Sequence, residues 1–455
     1  MRGLVLITAF AAALVLLSGR LLAQDSAPRP MQHDMAAMAA HSPLGLPQSR
    51  MGSGTSWLPD SSSFRAATAI WGRWMISLQG AVFGQYVDQS TKRGDQQLGI
   101  TDWEMMMATR PLGDGFLHVH AMTSVEPFVL GGAGYPELLQ NGGTYRHAPI
   151  HDRQHPHDAL MELSSTYENS LTDDLAFSVY AGAVGEPALG PVAFMHRPSA
   201  ENDPFAPIGH HWQDNTHQSF GVLTLGFNTR TLKIEGSLFN PREADENHLI
   251  VDYRDARLDA YAGRLSWAPT ARIVASAWMG FLNAHERLDP TGRMHRYGVS
   301  IITSSRGPGR GRMSGTLLWG MNLHHHGSAS HALVHGDPGA SPHHKSSSWL
   351  AESNLEVGSR GAVFARVEQV QKNGAEFGFS GGDLTTLYDV RSIAAGGTYR
   401  IVAVGNAELS LGARAAVNFV PQALLANYGT RTPTGFAVYA RLRVIPSETS
   451  SSRAR

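Results

Sequence analysis

From Trp71 onward, apolar and polar residues alternate with period two in segments of about 10 to 14 residues, the length a tilted strand needs to cross a bilayer. The clearest segment is Asn406 to Phe419. There Ala407, Leu409, Leu411, Ala413, Ala415, Val417 and Phe419 alternate with Glu408, Ser410, Gly412, Arg414 and Asn418. One face suits lipid and the other suits water. The last segment repeats this, with Phe436, Val438, Ala440, Leu442 and Val444 opposite Tyr439, Arg441 and Arg443. Arginine at every second residue does not suit a sandwich core. Leu117, Val119 and Ala121 alternate in the same way with His118, His120 and Met122.

The connections between these segments alternate in length. Short turns fall near Pro111 to Asp114, Thr172-Asp173, Asn228 to Arg230, Pro269-Thr270, Gly307 to Gly309, Ser359-Arg360 and Gly405-Asn406. Long ones fall near 88–96, 128–157, 187–216, 243–255, 283–294, 325–346, 373–384 and 420–433. Strict alternation of tight turns with long external loops, closing at an even count of about 16, predicts an all-β chain folded as a transmembrane antiparallel β-barrel of porin type. Tyr86, Trp103, Tyr167, Tyr261, Trp267, Trp278, Trp319, Trp349 and Tyr439 stand where aromatic girdles would form.

The flanking segments assign the compartment. Arg2 precedes an apolar run from Gly3 to Leu17 that the polar Ser18-Gly19-Arg20 ends early, so residues 1–23 read as a signal peptide cleaved near Ala23. The other reading of this run is an uncleaved N-terminal anchor. No later stretch approaches the roughly 20 apolar residues of a membrane helix. Residues 24–69, rich in Met, Ser, Pro and Gly, are expected to form a mobile periplasmic arm, residues 70–445 the barrel and 446–455 a disordered tail. The chain has no cysteine, which removes disulfides, thiolate metal sites and a lipid-modified N-terminus. A formal net charge of −1 with 16% charged residues argues against nucleic acid as a partner. The expected location is the outer membrane of a Gram-negative cell, with the lipid bilayer as partner. Barrels of this size commonly form homo-trimers, so that assembly is the expected one.

Candidate chemistry is concentrated in histidine. The loop 128–157 ends in HDRQHPHD, giving His151, Asp152, His155, His157 and Asp158; the loop 187–216 brings His196, His210, His211, Asp214 and His217. Imidazoles beside carboxylates suit Zn²⁺, Cu²⁺ or Ni²⁺, and Pro156 would hold the two flanking rings in extended geometry. The alternative is an inward-folded plug in which these groups satisfy each other and the backbone. A second tract, His324, His325, His326, His331, His335, His343 and His344, lies among Gly, Ser and Ala and reads as a solvated loop that binds metal adventitiously. The arm places Met31, His33, Met35, Met38 and His41 within one stretch, a thioether and imidazole set suited to Cu(I) capture.

Strand parity predicts a polar lumen. Asp102, Glu104, Met106, His118, His120, Glu126, Glu162 and Glu168 would point inward from the early strands, and Arg366, Arg391, Arg414, Arg441 and Arg443 from the late ones. Opposed acidic and basic walls would set a transverse field across an open pore; the alternative is a plugged barrel held by ion pairs across the lumen. No GxSxG, P-loop or paired-cysteine motif is present, so an enzyme is not expected, an outer-membrane hydrolase being the remaining catalytic reading.

The strings GGAGYPELLQNGGTY, HDRQHPHD, FMHRPSA, IGHHWQDNTH and FNPRE resemble a family of uncharacterised bacterial outer-membrane β-barrel proteins, across most of residues 70–445. Only positions carry over from that resemblance: Asp152, His155, His157, Asp158, His196, His210, His211, Asp214 and His217. The Met/His arm is similar in kind to those of copper-resistance outer-membrane proteins, with one segment in place of their repeats. The expected function is therefore a porin-like channel or metal-handling barrel for a small polar solute or a transition metal, copper before zinc. The competing expectation is a metal-binding or surface-interaction protein anchored by a plugged barrel.

Overall fold

A computed structural model describes residues 42–249, 251, 257–285, 291–306, 311–325, 343–379 and 386–446. The signal segment, the stretch Met31 to His41, the middle of the second histidine tract and the end of the tail lie outside the described residues.

The strands, in chain order, begin with β1 (Ala67–Trp71), β2 (Trp74–Ser90), β3 (Gln96–Leu112), β4 (Gly115–Thr123), β5 (Tyr135–Tyr145) and β6 (Ala148–Gln154). They continue with β7 (Leu160–Ser170), β8 (Ala176–Gly185), β9 (Ser219–Asn228), β10 (Leu232–Phe239), β11 (Ala260–Thr270) and β12 (Ile273–Asn283). The remainder are β13 (Arg293–Arg306), β14 (Arg312–His325), β15 (His343–Val357), β16 (Gly361–Lys372), β17 (Tyr388–Val404), β18 (Ala407–Phe419) and β19 (Thr434–Val444). Leaving aside β1 and the β5–β6 hairpin, each strand pairs antiparallel with the next. β19 returns to β2, with Thr434 opposite Ser90 and Arg443 opposite Ala81, and closes a barrel of 16 strands. The short β1 extends the β2 edge below β19, Trp71 facing Trp74. Closure leaves no free sheet edge, the condition for a sheet in hydrocarbon.

Side-chain alternation follows the sequence pattern closely. On β10, Leu232, Ile234 and Leu238 are exposed while Lys233, Glu235 and Ser237 are buried. On β18, Glu408, Ser410, Arg414 and Asn418 face in and the intervening apolar residues face out. Leu225, Leu265, Met279, Ile301, Leu317, Val367 and Leu411 continue the apolar outer surface around the ring. Tyr261, Trp267 and Trp349 lie on that surface, whereas Trp278 and Tyr439, expected in a girdle, are buried inside.

Three segments occupy the interior. Residues 42–66 are not a mobile arm: Leu44, Trp57 and Leu58 are buried, and the segment packs into the short-turn end of the barrel. The lumen wall holds it there. Lys233 Nζ donates to Thr55 O at 2.6 Å and Arg264 to Thr55 Oγ1 at 3.0 Å, and Arg65 donates to Glu201, of another inserted segment, at 3.0 Å. Buried wall charges need partners, and these segments supply them. Irregular spacing of its few apolar residues hid this role in the sequence. Segments 124–159 and 186–218 fold in from the long-connection end.

Several lumen expectations change. On β3 the parity is reversed at the methionines: Met105 and Met107 face in and Met106 is 42% exposed on the outer face, while Glu104, of the same parity as Met106, has both carboxylate oxygens buried. Asp102 is buried by a different route, its carboxylate accepting from Val125 N at 2.9 Å and Ser124 Oγ at 3.1 Å where β4 stops short. Arg391 is exposed on the outer wall. Glu126 is buried but sits on a helical turn, Glu126–Val129, outside the strands. His118, His120, Glu162, Arg366, Arg414, Arg441 and Arg443 do face the lumen. Instead of opposing one another across open water, the arginines are paired. Arg366 reaches Glu352 at 3.1 Å and Asp203 at 3.3 Å, Arg414 reaches Asp203 at 3.1 Å, and Arg443 reaches Glu408 at 2.8 Å.

Candidate metal-binding site

The connections into β7 and β9 bring together five histidines that are far apart in sequence. His155 and His157 precede β7 in an extended stretch around Pro156. His210 and His211 open a single helical turn, His210–Gln213, and His217 ends the 3-10 turn Asn215–His217 just before β9. Their rings form a continuous run. Centroids are separated by 5.9 Å from His155 to His211, 5.4 Å from His211 to His210, 5.2 Å from His210 to His217 and 5.8 Å from His217 to His157. Two imidazoles sharing one tetrahedral ion through Nε2 have centroids about 5 Å apart, given metal–nitrogen bonds of about 2.0 Å. The spacing is of that order, although among the described residues no three donors meet at one point.

Each ring is oriented by a partner. His157 Nδ1 donates to Glu126 Oε2 at 3.0 Å, His210 Nδ1 to Asp214 Oδ1 at 2.5 Å, His217 Nδ1 to Asp214 O at 2.7 Å and His155 Nδ1 to Pro156 O at 3.0 Å. Two further histidines from other connections join them. His248 Nδ1 donates to Asp158 Oδ1 at 2.7 Å, and His285 Nδ1 to Pro241 O at 2.5 Å. Donation from Nδ1 fixes the tautomer and leaves Nε2 as a lone-pair donor, the arrangement usual for metal-ligating histidine. Nε2 of His157, His217 and His248 is buried and makes no hydrogen bond, and the same is true of His211 Nε2. His211 is oriented differently: its Nδ1 faces Asn215 Nδ2 at 3.4 Å, and Asn215 also donates to His285 Nε2 at 3.1 Å. Between the rings lies a cavity of about 70 Å³, ample for an ion with a bound water.

The electrostatics favour neutral rings. Burial pushes His155, His217 and His285 down to about 3, and His211 well below its ordinary value, with neighbouring cationic groups adding to the effect. At His157 burial acts in the same direction, but the charge and hydrogen bond of Glu126 outweigh it and the ring is held above its usual value. Asp214 is depressed despite burial by His210 and by Arg197, which lies 3.2 Å away.

The remaining expected site residues lie elsewhere. His151 donates to Glu376 O at 3.0 Å, outside the cavity. Asp152 is structural: it accepts from Leu139 N and Tyr428 Oη, both at 2.8 Å, and pairs with Arg93 at 2.5 Å. His196 packs against Trp103, with ring centroids 4.6 Å apart and planes tilted by 55°, deeper in the lumen. Asp158 and Asp214 serve the rings as hydrogen-bond acceptors. Of the second tract, His324 and His344 sit opposite each other on β14 and β15 with rings 4.4 Å apart, and His325 sits opposite His343, so its ends belong to strands. His248 and His285 were missed by sequence reasoning. They lie in the 243–255 and 283–294 connections, and no spacing rule signals residues that only ring closure brings to the same mouth.

No family model and no curated protein sequence matches the chain. Solved structures do. Salmonella typhi OmpF in complex with daunomycin aligns at a TM-score of 0.50 with 10% identity over 82% of this chain and 99% of that one. The outer membrane channel DcaP of Acinetobacter baumannii aligns at 0.44 with 10% identity, covering 83% and 99%. An anion-selective porin from Comamonas acidovorans aligns at 0.42 with 13% identity, covering 82% and 99%. At 10% identity the OmpF likeness concerns the fold of the barrel.

Proposed function

We propose that the chain is an exported outer-membrane barrel of porin type that captures a divalent transition-metal ion, Cu²⁺ or Zn²⁺, in the imidazole cage at its long-connection end. The carrying observation is the set of buried Nε2 atoms on His157, His211, His217 and His248 that make no hydrogen bond. A buried polar atom without a partner costs free energy. Several aimed at one cavity, with opposite ring nitrogens held by carboxylates or carbonyls, are what a borderline cation satisfies. The apolar outer wall and closed ring support membrane insertion.

The inserted segments favour the plugged form of the metal-handling reading over a wide diffusion pore. Arg197 is fully buried between Asp214 and Glu352, and Phe205 is equally buried, so residues 186–218 are built into the lumen. The residue supporting cage and plug at once is Asp214. It holds His210 with one carboxylate oxygen and Arg197 with the other.

Calorimetric titration of the purified, chelator-treated full chain with Zn²⁺ and Cu²⁺ tests this reading. Saturable binding that is lost in a His211→Ala, His217→Ala double variant with unchanged barrel content supports it. Equal binding by the variant overturns it.

A further inference from the structure

Deeper in the lumen, the inward face of β3 and β4 carries a second concentration of soft donors. Met105, Met107, Met122, Met161 and Met195 form one buried cluster with Phe194, each methionine 8% exposed or less. Other apolar clusters in the interior are mainly aliphatic and aromatic, as around Leu189, Phe239 and Trp278 or around Ile208, Trp212 and Val370, so the concentration of thioethers sets this one apart. Aliphatic residues would fill it with better-defined rotamers. Methionine differs in its polarizable sulfur, which serves either as gap-filler or as ligand.

Two histidines favour the ligand role. His120 stands directly across from Met107 in the β3–β4 register and is only 3% exposed. Its Nδ1 faces Glu162 Oε1 at 3.8 Å, and its buried Nε2 makes no hydrogen bond. His196, packed against Trp103, lines a cavity of about 90 Å³ together with Met105, Met107 and Met195. The short turn Phe194–His196 links this cavity to the cage. Phe194 packs on the rings of His157 and His210, while the two residues after it face the thioethers.

We propose that the lumen holds a second metal site, specific for a soft monovalent cation such as Cu⁺ or Ag⁺, built from the thioethers of Met105, Met107 and Met195 with His196, and with His120 behind them. Thioethers bind Zn²⁺ poorly and Cu⁺ well, so this site and the imidazole cage select different ions. The site stands independently of the cage.

The test uses Ag⁺ as a redox-inert probe, in nitrate buffer, on a full chain carrying Met31→Leu, Met35→Leu and Met38→Leu so that the N-terminal thioethers do not compete. Ag⁺ is expected to bind this protein and its His211→Ala, His217→Ala derivative alike. Adding Met105→Leu, Met107→Leu and Met195→Leu should weaken Ag⁺ at least tenfold and leave Zn²⁺ titration unchanged. Ag⁺ affinity unaltered by the three lumenal substitutions, or no Ag⁺ binding before them, overturns the proposal. Methyl ¹³C resonances give a second reading without lumenal substitutions. Ag⁺ should shift Met105, Met107 and Met195 and leave Met279 and Met313, exposed on the outer wall, in place. Shifts confined to other methionines overturn it equally. Zn²⁺ binding absent from the chain with all its histidines intact, or equal in the His211→Ala, His217→Ala derivative, with Ag⁺ binding retained, would sink the cage reading alone.

Discussion

His157 and Glu126 are joined twice: Glu126 Oε2 accepts the ring Nδ1–H at 3.0 Å and the His157 backbone N–H at 2.8 Å. The other oxygen, Oε1, accepts from Asp102 N on β3 at 3.2 Å. One carboxylate therefore fixes a cage ring to the barrel wall. Glu126→Gln keeps the shape but removes the charge and one strong acceptor, so Zn²⁺ affinity should fall about 10- to 100-fold, the usual cost of losing such a support. Competition against a chromogenic chelator measures it. Unchanged affinity would show that His157 takes no part.

Gly142 makes room for His211. Its φ of +111° and its position leave a Cβ only 1.9 Å from His211 Cε1. Gly142→Ala should displace the ring and reduce metal affinity by an order of magnitude or more. The barrel strands, whose own pairing does not involve Gly142, should retain their heat-modifiable migration on gels. Affinity equal to that of the unsubstituted chain would mean His211 is not a ligand.

Acid should open the cage. His155, His217 and His285 are pushed down to about 3 in the folded chain, against about 6.5 when the loop is exposed. Lowered folded values mean that the loop's stability is full above pH 6.5 and is lost as pH falls toward 3, by about 1.4 kcal/mol per ring and pH unit. His157 is raised and has the opposite sign, stabilising while protonated. Hydrogen exchange of residues 209–218 should accelerate between pH 6.5 and 4. Zn²⁺ affinity should rise with pH as His157, held above its usual value by Glu126, gives up its proton. Exchange independent of pH would contradict the burial argument.

The plug is held by charge. Asp203 lies 3.1 Å from Arg414 and 3.3 Å from Arg366, both buried. Asp203→Asn takes the carboxylate from Arg414 and one of two from Arg366, which keeps Glu352, and should cost about 3–5 kcal/mol locally. In planar bilayers this variant should show more frequent or larger conductance steps than the unsubstituted chain. Identical traces would mean that residues 186–218 do not close the lumen.

Much of this architecture was legible in the sequence for a physical reason. A wall with lipid on one side and polar side chains on the other imposes strict period two, as in β18 and β19, and two kinds of connection. The strand count and the order of short and long connections followed from those features, whereas alternation says which loops carry His155, His157, His210, His211 and His217 but not that their rings meet. What failed did so where one wall face lost its contrast. β3 runs Trp103-Glu104-Met105-Met106-Met107, and three adjacent methionines give parity no direction, so the inward face was assigned to the wrong set. On β17 the sequence offers weak contrast, and Arg391 shares its parity with the exposed Ile393 and Ala395 while Val390, Ser392 and Ala394 face in, so it stands on the outer wall against the inward parity expected for it. Residues 42–66 were read as mobile because a plug satisfies lumenal charges one at a time, as Thr55 does for Lys233 and Arg264, and leaves no periodic trace.

X-ray absorption of the chain loaded with one equivalent of Cu²⁺ or Zn²⁺ tests the central claim most directly. The account predicts a first shell at about 2.0 Å dominated by imidazole nitrogen, with the outer-shell scattering of several histidine rings, lost in the His211→Ala, His217→Ala variant. A shell of oxygen donors alone, or a spectrum unchanged in that variant, would contradict it.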